Sequence, residues 1–288
     1  MSDFIIYTDS GCDLSPETYA EWGTPYKTLT FRFVDSDKEY ADGDIPSKEF
    51  YDMMRGGAVA KTAAVNVETF AAEFEKYLAE GKDVLYLGFS SGLSTTYNSG
   101  RLAAEQLAEK YPDRKVLTVD TLAASAGEGM LLYLAVKKQS EGASIEEVAA
   151  YIEDIKLNLS HWFTVDDLVY LKRGGRVSAA AAFFGNALGI KPVLHVDNEG
   201  HLVPVVKVRG RKTSIKTMAD KYTETAIDPA AGPVYISHGD CINDAVALAE
   251  IIKERHGVSV EIITNVGTVI GAHSGPGTLA LFFLAKER

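Results

Sequence analysis

Residues 83–111 read DVLYLGFSSGLSTTYNSGRLAAEQLAEKY, and this stretch decides the fold. Asp83 to Phe89 is a short apolar run with the length of a buried strand. A Gly/Ser-rich turn follows it, and Ser94 to Tyr111 reads as a helix. The same order recurs on both sides. Phe4 to Thr8 is a strand that ends at Asp9-Ser10-Gly11. Val116 to Val119 is a strand that ends at Asp120, and a long helix is expected over Thr121 to Gln139. Between these, Ser47 caps a helix containing Phe50, Tyr51 and Met54, and Asn66 caps another with Phe70, Phe74, Tyr77 and Leu78 on one face. Ser144 with Glu147 has the spacing of a capping box. Alternating strands and helices predict a mostly parallel sheet covered on both faces. Ligands of such sheets sit beyond the C-terminal strand ends, here the loops after Thr8, Phe89 and Val119.

The second half reads differently. Ile190 to Val196 and Leu202 to Val208 flank Asp197-Asn198-Glu199-Gly200-His201, a hairpin with glycine in its turn. Helices over Thr213 to Thr225 and Ile242 to His256 alternate with strands at Val234 to Ser237 and Val258 to Asn265, and Thr278 to Leu284 is a final apolar strand. The Ala-rich run Ser178 to Phe184 is a helix candidate. The fold class expected is therefore α/β with two domains. Residues 1–158 form an N-terminal mostly parallel sheet flanked by helices, and residues 159–288 form a C-terminal mixed α+β domain.

Composition narrows the function. The chain has 288 residues, 46% of them hydrophobic, and a net charge of -11. That balance argues against general nucleic-acid binding, which needs excess Lys and Arg facing phosphates. Cys12 and Cys241 form no metal or disulfide pattern, so a reducing cytoplasm is expected. The start of the chain lacks the basic and apolar regions of a signal peptide, and no transmembrane segment is expected. The charge is segregated. From Leu168 to Lys216 there are nine Lys and Arg against two Asp and Glu, a local +7 that leaves -18 elsewhere. Lys172-Arg173-Gly174-Gly175-Arg176 opens this segment, and Lys207, Arg209, Arg211, Lys212 and Lys216 follow. Such a segment suits an anionic ligand, a phosphate or an acidic protein surface.

Gly88-Phe89-Ser90-Ser91-Gly92 matches the G-x-S-x-G of a nucleophile elbow, with His273 or His238 as base. Only one clear strand precedes Asp83, and no HGGG-like oxyanion segment does. A turn binding an anion at a helix start is the stronger reading. Seven of the ten residues from Ser90 to Ser99 carry hydroxyls, which suit a carboxylate or phosphate oxygen; Ser94 also reads as a plain helix cap. Asp9 after its strand could be a phosphatase nucleophile, but a turn with a helix cap explains it more simply. Gly271-Ala272-His273-Ser274-Gly275-Pro276-Gly277 is read as a tight loop holding His273 toward a ligand.

Together these motifs resemble the DegV family, bacterial fatty-acid-binding proteins that serve as the lipid-carrying subunit of a two-component fatty acid kinase. The resemblance spans the chain. It is carried by Thr8-Asp9-Ser10, Ser90-Ser91-Gly92-Leu93-Ser94-Thr95-Thr96-Tyr97, Leu171-Lys172-Arg173-Gly174-Gly175-Arg176-Val177-Ser178 and the His273 segment. It implies that Thr62, Ser94 and His273 surround a fatty acid carboxyl group held between the domains. Ser90, Ser91 and Thr95 are further candidates on the same turn. It also implies that Arg173, with Arg176, meets the partner kinase or a phosphate. This chain has Thr62-Ala63-Ala64-Val65 where the family usually has Thr-Ser-Gln-Pro, and Ser94-Thr95-Thr96 where Ser-Gly-Thr is common.

A fatty acid suits an apolar pocket with a few fixed polar groups at one end. At about 0.8 kcal/mol per buried CH₂, a chain of about 16 carbons supplies on the order of 10 kcal/mol gross. Phe183, Phe184, Leu188 and Ile190, with Val269 and Ile270, are the expected walls of the tail pocket. No P-loop is present, so ATP is expected to come from the partner kinase. No metal or cofactor is expected beyond the fatty acid, and transient membrane contact is compatible with such a carrier. The alternative is a lipid-active serine hydrolase using Ser90 and His273.

Overall fold

Asp83–Gly88 forms a strand buried at all six positions, as a central parallel strand covered on both faces must be. The computed structural model describes residues 3–177 and 189–288. In chain order the first elements are β1 (Phe4–Asp9), α1 (Pro16–Trp22), β2 (Tyr26–Lys27), β3 (Thr30–Phe33), β4 (Glu39–Ala41), α2 (Ser47–Arg55), β5 (Ala60–Ala63) and α3 (Val67–Ala79). Then come β6 (Asp83–Gly88), α4 (Thr96–Lys110), β7 (Val116–Asp120), α5 (Ala126–Ser140), α6 (Ile145–Ile155) and β8 (Leu159–Thr164). The chain continues through α7 (Val169–Gly174), β9 (Ile190–Val196), β10 (Leu202–Arg209), α8 (Arg211–Thr225), β11 (Val234–His238) and α9 (Ile242–His256). It ends with β12 (Ile262–Asn265), α10 (Thr268–Ser274) and β13 (Leu279–Leu284).

The alternating first half yields the parallel sheet expected of it, in the order β2-β1-β6-β7. The second half yields a mixed six-stranded sheet, β10-β9-β8-β13-β11-β12, in which only β11 and β12 pair in parallel. The hairpin of β9 and β10 lies at its edge. Two helix caps follow their sequence signals: Asn66 accepts from Thr69 N at 2.8 Å, and Ser144 with Glu147 closes a full capping box; the third does not, because Ser47 is the first residue inside α2, which follows Pro46 and has no side-chain cap. Helix α5 is buried around most of its circumference, because Met130, Leu131 and Leu134 join a core that also holds Leu85, Leu87, Phe163 and Phe282 from the two sheets.

Several features depart from the sequence reading, and three of them bear on the loops around the β6 strand end and His273. A small antiparallel sheet, β4-β3-β5, was not expected. Its strands are three or four residues long, and Phe31 and Phe33 are held by Phe50 and Tyr51 of α2. Helix α5 starts at Ala126 rather than Thr121. Thr121 Oγ1 donates to Gly88 O at 2.7 Å, and Asp120 accepts from Ser91 N and Leu122 N, so this segment ties the β6 and β7 loops together instead of coiling. Finally, His273 sits in a helix and not in a loop. The start of α10 is capped from a distance: Asp42 Oδ1 accepts from Thr268 N at 2.8 Å and Thr268 Oγ1 at 2.7 Å, and Asp13 Oδ1 accepts from Gly267 N at 2.9 Å. Carboxylates from the first 42 residues thus satisfy the exposed amides of a glycine-rich segment that would otherwise favour a turn. The helix candidate Ser178 to Phe184 lies outside the described residues.

Candidate ligand-binding site

A cavity opens where the β6 loop, β5, α10 and one face of the six-stranded sheet converge. The space between its walls, mouth included, is about 930 Å³. Carbon predominates in the lining: Leu29, Phe89, Leu93, Phe163, Val269 and Ile270 contribute, with Ala280 and Phe282 on the sheet. The sheet face follows from register. Phe163 pairs with Ala280 and His161 with Phe282, so alternate residues of β8 and β13 point the same way into the cavity.

Polar groups gather near the mouth. Thr62 on β5 and His273 on α10 meet with Oγ1 and Nε2 2.7 Å apart. Ser94 donates to Thr96 Oγ1 at 2.9 Å and accepts from Thr96 N at 3.2 Å, an arrangement that fixes the turn before α4. Thr96 Oγ1 also accepts from Val65 N at 3.4 Å, which links this turn to the segment leaving β5. Thr62, Ser94, Thr96 and His273 all line the cavity. Arg176 joins them, its Nε donating to Leu93 O at 3.1 Å and its Nη1 to Gly174 O at 2.5 Å. Burial, and secondarily the Arg176 charge, lowers the His273 pKa to about 4, so the ring is neutral near pH 7 and carries one N–H.

Gly174 makes this geometry possible. A Cβ there would stand 2.3 Å from His273 Nδ1. The glycine pair in Arg173-Gly174-Gly175-Arg176 therefore serves close approach between α7 and α10 at the first position. At the second it serves the left-handed turn that ends α7, with φ of 72° at Gly175.

The remaining sequence candidates are placed as follows. Ser90 is fully buried and does not line the cavity; its hydroxyl donates to Gly200 O at 3.0 Å, while His273 Nε2 is engaged by Thr62. No Ser90–His273 hydrogen bond exists to activate a nucleophile. Ser91 is outside the lining, with its amide on Asp120 Oδ1, and Thr95 is exposed at the start of α4. Besides Ser94, the hydroxyl of this turn that reaches the cavity is Thr96, missed because helical phase, not hydroxyl count, decides which side chain points inward. His238 makes its ring contact with Cys241 N and is also outside the lining. Arg173 is exposed and lies over the Tyr170 ring at 5.8 Å, whereas Arg176 is in the cavity wall. Val269 and Ile270 line the cavity. Ile190 does not; it opens β9 opposite Arg209. Phe183, Phe184 and Leu188 lie outside the described residues. Asp9 is fully buried and accepts from Gly11 N, Tyr86 Oη and Phe89 N, so it braces the β1 loop against the β6 loop.

The sequence model of the DegV family, described as "Uncharacterised protein, DegV family", matches residues 3–286. The chain belongs to the DegV family. A DegV domain-containing protein of Clostridium perfringens is 41% identical over 289 residues, covering 100% of this chain and 99% of the relative. A fatty acid-binding protein of Thermotoga maritima is 37% identical over 243 residues, 83% of this chain and 82% of that one. Among solved structures, a fatty-acid-binding DegV protein of Thermus thermophilus superposes with a TM-score of 0.88 at 31% identity, over 99% of this chain and 100% of that chain. A stearic acid-binding protein of Eubacterium ventriosum superposes with a TM-score of 0.87 at 25% identity, over 98% of both chains. DegV proteins thus include fatty-acid binders with this fold, and the parallel sheet with its mixed-sheet companion is the DegV architecture. Among the described residues no helix is long and apolar enough to cross a membrane.

Proposed function

We propose that this chain binds a long-chain fatty acid in the cavity and offers the carboxyl group to a partner kinase, which phosphorylates it with ATP. One observation carries the reading: a largely carbon-lined cavity that ends at the Thr62–His273 hydrogen bond, beside Ser94 and Arg176. A buried carboxylate without donors is very costly, and two hydroxyls, an imidazole and a guanidinium are the donors that offset that cost. Fatty acid binding by the Thermotoga and Thermus relatives supports the ligand class.

The carboxyl end is placed for presentation rather than for storage. Thr62 and Ser94 are only partly buried, and Ala63 beside Thr62 is both exposed and in the cavity lining. A partner at this mouth meets Lys172 and Arg173, both exposed on α7, whose charge suits the phosphates of ATP or an acidic kinase surface. In this reading Arg173 serves the partner and Arg176 serves the carboxylate, the chain itself forms no covalent intermediate, and residues 1–158 and 159–288 are two domains that share the ligand. Mass spectrometry of lipid extracted from the denatured protein tests the ligand class. Recovery of a long-chain fatty acid is expected. No fatty acid recovered, and no binding of added palmitate or oleate, rejects the reading.

A further inference from the structure

The G-x-S-x-G segment that ends β6 makes contacts beyond the cavity lining. Ser90 is fully buried, and its hydroxyl makes two bonds inside the protein: it accepts from Gly92 N at 3.2 Å and donates to Gly200 O at 3.0 Å. Its carbonyl accepts from Leu93 N and Ser94 N, both at 3.1 Å, and its amide donates to Ala123 O at 2.9 Å. Ser90 thus joins three segments: the turn that carries Ser94, the tip of the β9–β10 hairpin and the loop after β7. Glycines permit the close approach. A Cβ on Gly92 would stand 2.6 Å from Glu199 O, and one on Gly200, whose φ is 78°, would stand 2.1 Å from Ser90 Oγ. The hairpin turn is also held by Arg288, whose Nη1 donates to Asp197 O at 3.2 Å and to Leu122 O at 2.7 Å. Residues 197–201 do not line the cavity, but Val196 and Leu202 on either side of them do, as do Leu93 and Ser94 across the contact.

We propose that Ser90 is a positioning residue for the fatty acid carboxyl group: its hydroxyl latches the hairpin tip to the β6 turn and so sets where Ser94 stands. This deepens the fatty-acid reading and rests on it. Ser94 follows the turn, because its amide is bonded to Ser90 O and its hydroxyl to Thr96. Removing the Ser90 hydroxyl takes one partner from the Gly92 amide and one from the carbonyl of buried Gly200. A buried carbonyl left without a donor is costly, and the cheapest relief is for the hairpin tip to move off the turn and admit water. That movement draws Val196 and Leu202 out of the tail wall and frees the turn, so Ser94 shifts relative to Thr62 and His273. Two serines on one turn then have different tasks: Ser94 meets the carboxylate, and Ser90 places Ser94.

The test is titration of lipid-stripped protein with palmitate isotope-labelled at its carboxyl carbon, for wild type, Ser90→Ala, Ser94→Ala and the double variant. Ser90→Ala is expected to lose about tenfold in affinity on its own and about twofold or less in the Ser94→Ala background, because the latch acts through Ser94. At saturating palmitate the bound carboxyl resonance of Ser90→Ala is expected to move toward that of Ser94→Ala, which a loss of stability alone would not cause. Gly200→Ala, which pushes on the same latch from the hairpin and leaves the Ser90 hydroxyl in place, is expected to move it the same way. Thermal melts without ligand identify variants that fail to fold. Should both latch variants fail, hydrogen exchange of wild type decides: palmitate is expected to slow the amides of residues 199–201, which are outside the lining, together with those of 92–94. Equal losses in the two backgrounds, an unmoved resonance, or protection confined to 92–94 overturns the inference and leaves the fatty-acid reading standing. Failure of wild type to bind palmitate overturns both.

Discussion

Thr62 and His273 are 211 residues apart in sequence and meet at 2.7 Å, one from the small antiparallel sheet and the other from a helix capped by Asp42 and Asp13. The helix that carries His273 is capped by residues from the opposite end of the chain, while Thr62 is held by pairing of β5 with β3. The proposed carboxyl site is thus a tertiary product, and its supports are as testable as its donors.

Gly174 and Gly175 are adjacent but serve different ends. Gly174→Ala places a methyl group against His273 Nδ1, so the ring must move and the bond to Thr62 is lost. The expected outcome is a loss of about 1–3 kcal/mol of stability and about tenfold in fatty acid affinity. Gly175→Ala meets no atom within 4 Å and pays only for its left-handed backbone, about 1–2 kcal/mol, with affinity retained. Denaturant melts and ligand titration on both variants check the contrast.

Asp42 is not in the cavity lining, yet it caps the helix that carries His273. Asp42→Ala should cost about 1–2 kcal/mol, in line with the loss of a helix cap. It should also weaken fatty acid binding by loosening α10. Amide hydrogen exchange across residues 266–275 is the measurement, with faster exchange expected there than in α4.

The stability of the carboxyl site depends on pH with a definite sign. The pKa of His273 in the folded protein is about 4 against an ordinary 6.5, so between these values the unfolded chain takes up a proton that the folded one resists. Its contribution is complete above pH 6.5 and is lost as pH falls toward 4. Asp9 acts oppositely. Burial raises it from 3.8 to about 6, so stability present at low pH is lost as pH rises through that window. His273→Gln removes only the first effect. On acidification from about pH 7.5 to about pH 4.5, urea melts should show the variant losing about 2 kcal/mol less than wild type.

The two arginines separate binding from partner contact. Arg173→Ala should leave palmitate affinity within about twofold and slow phosphorylation by a cognate kinase at least about tenfold, because Arg173 is exposed and outside the cavity. Arg176→Ala should weaken palmitate binding itself by about tenfold or more, through loss of a charge-assisted donor. Direct titration and radiolabelled phosphate transfer distinguish them.

Regular elements with strong periodic signals were legible in the sequence. Strand β6, helix α4 and the β9–β10 hairpin lie within about two residues of their expected bounds. The small sheet was not legible, because three or four residues per strand are too few for an alternation to show. Strand β8 was hidden by its composition: buried Ser160 and His161 interrupt the apolar run that would have announced it. Around His273, glycine and proline argued for a loop, and the opposing term, caps from Asp13 and Asp42, is invisible in a local window. The site residues Thr62, Ser94 and His273 came from motif resemblance. Thr96 and His161 came only from the packing, and the packing moved Arg176, named from the sequence as a kinase or phosphate contact, into the cavity wall.

The most direct test of the carboxyl site is NMR of palmitate isotope-labelled at its carboxyl carbon, bound to wild type, Thr62→Val and His273→Ala. The account predicts a bound carboxyl resonance in slow exchange for wild type, shifted in Thr62→Val and moved or broadened into fast exchange in His273→Ala. A bound resonance indifferent to both substitutions would contradict it.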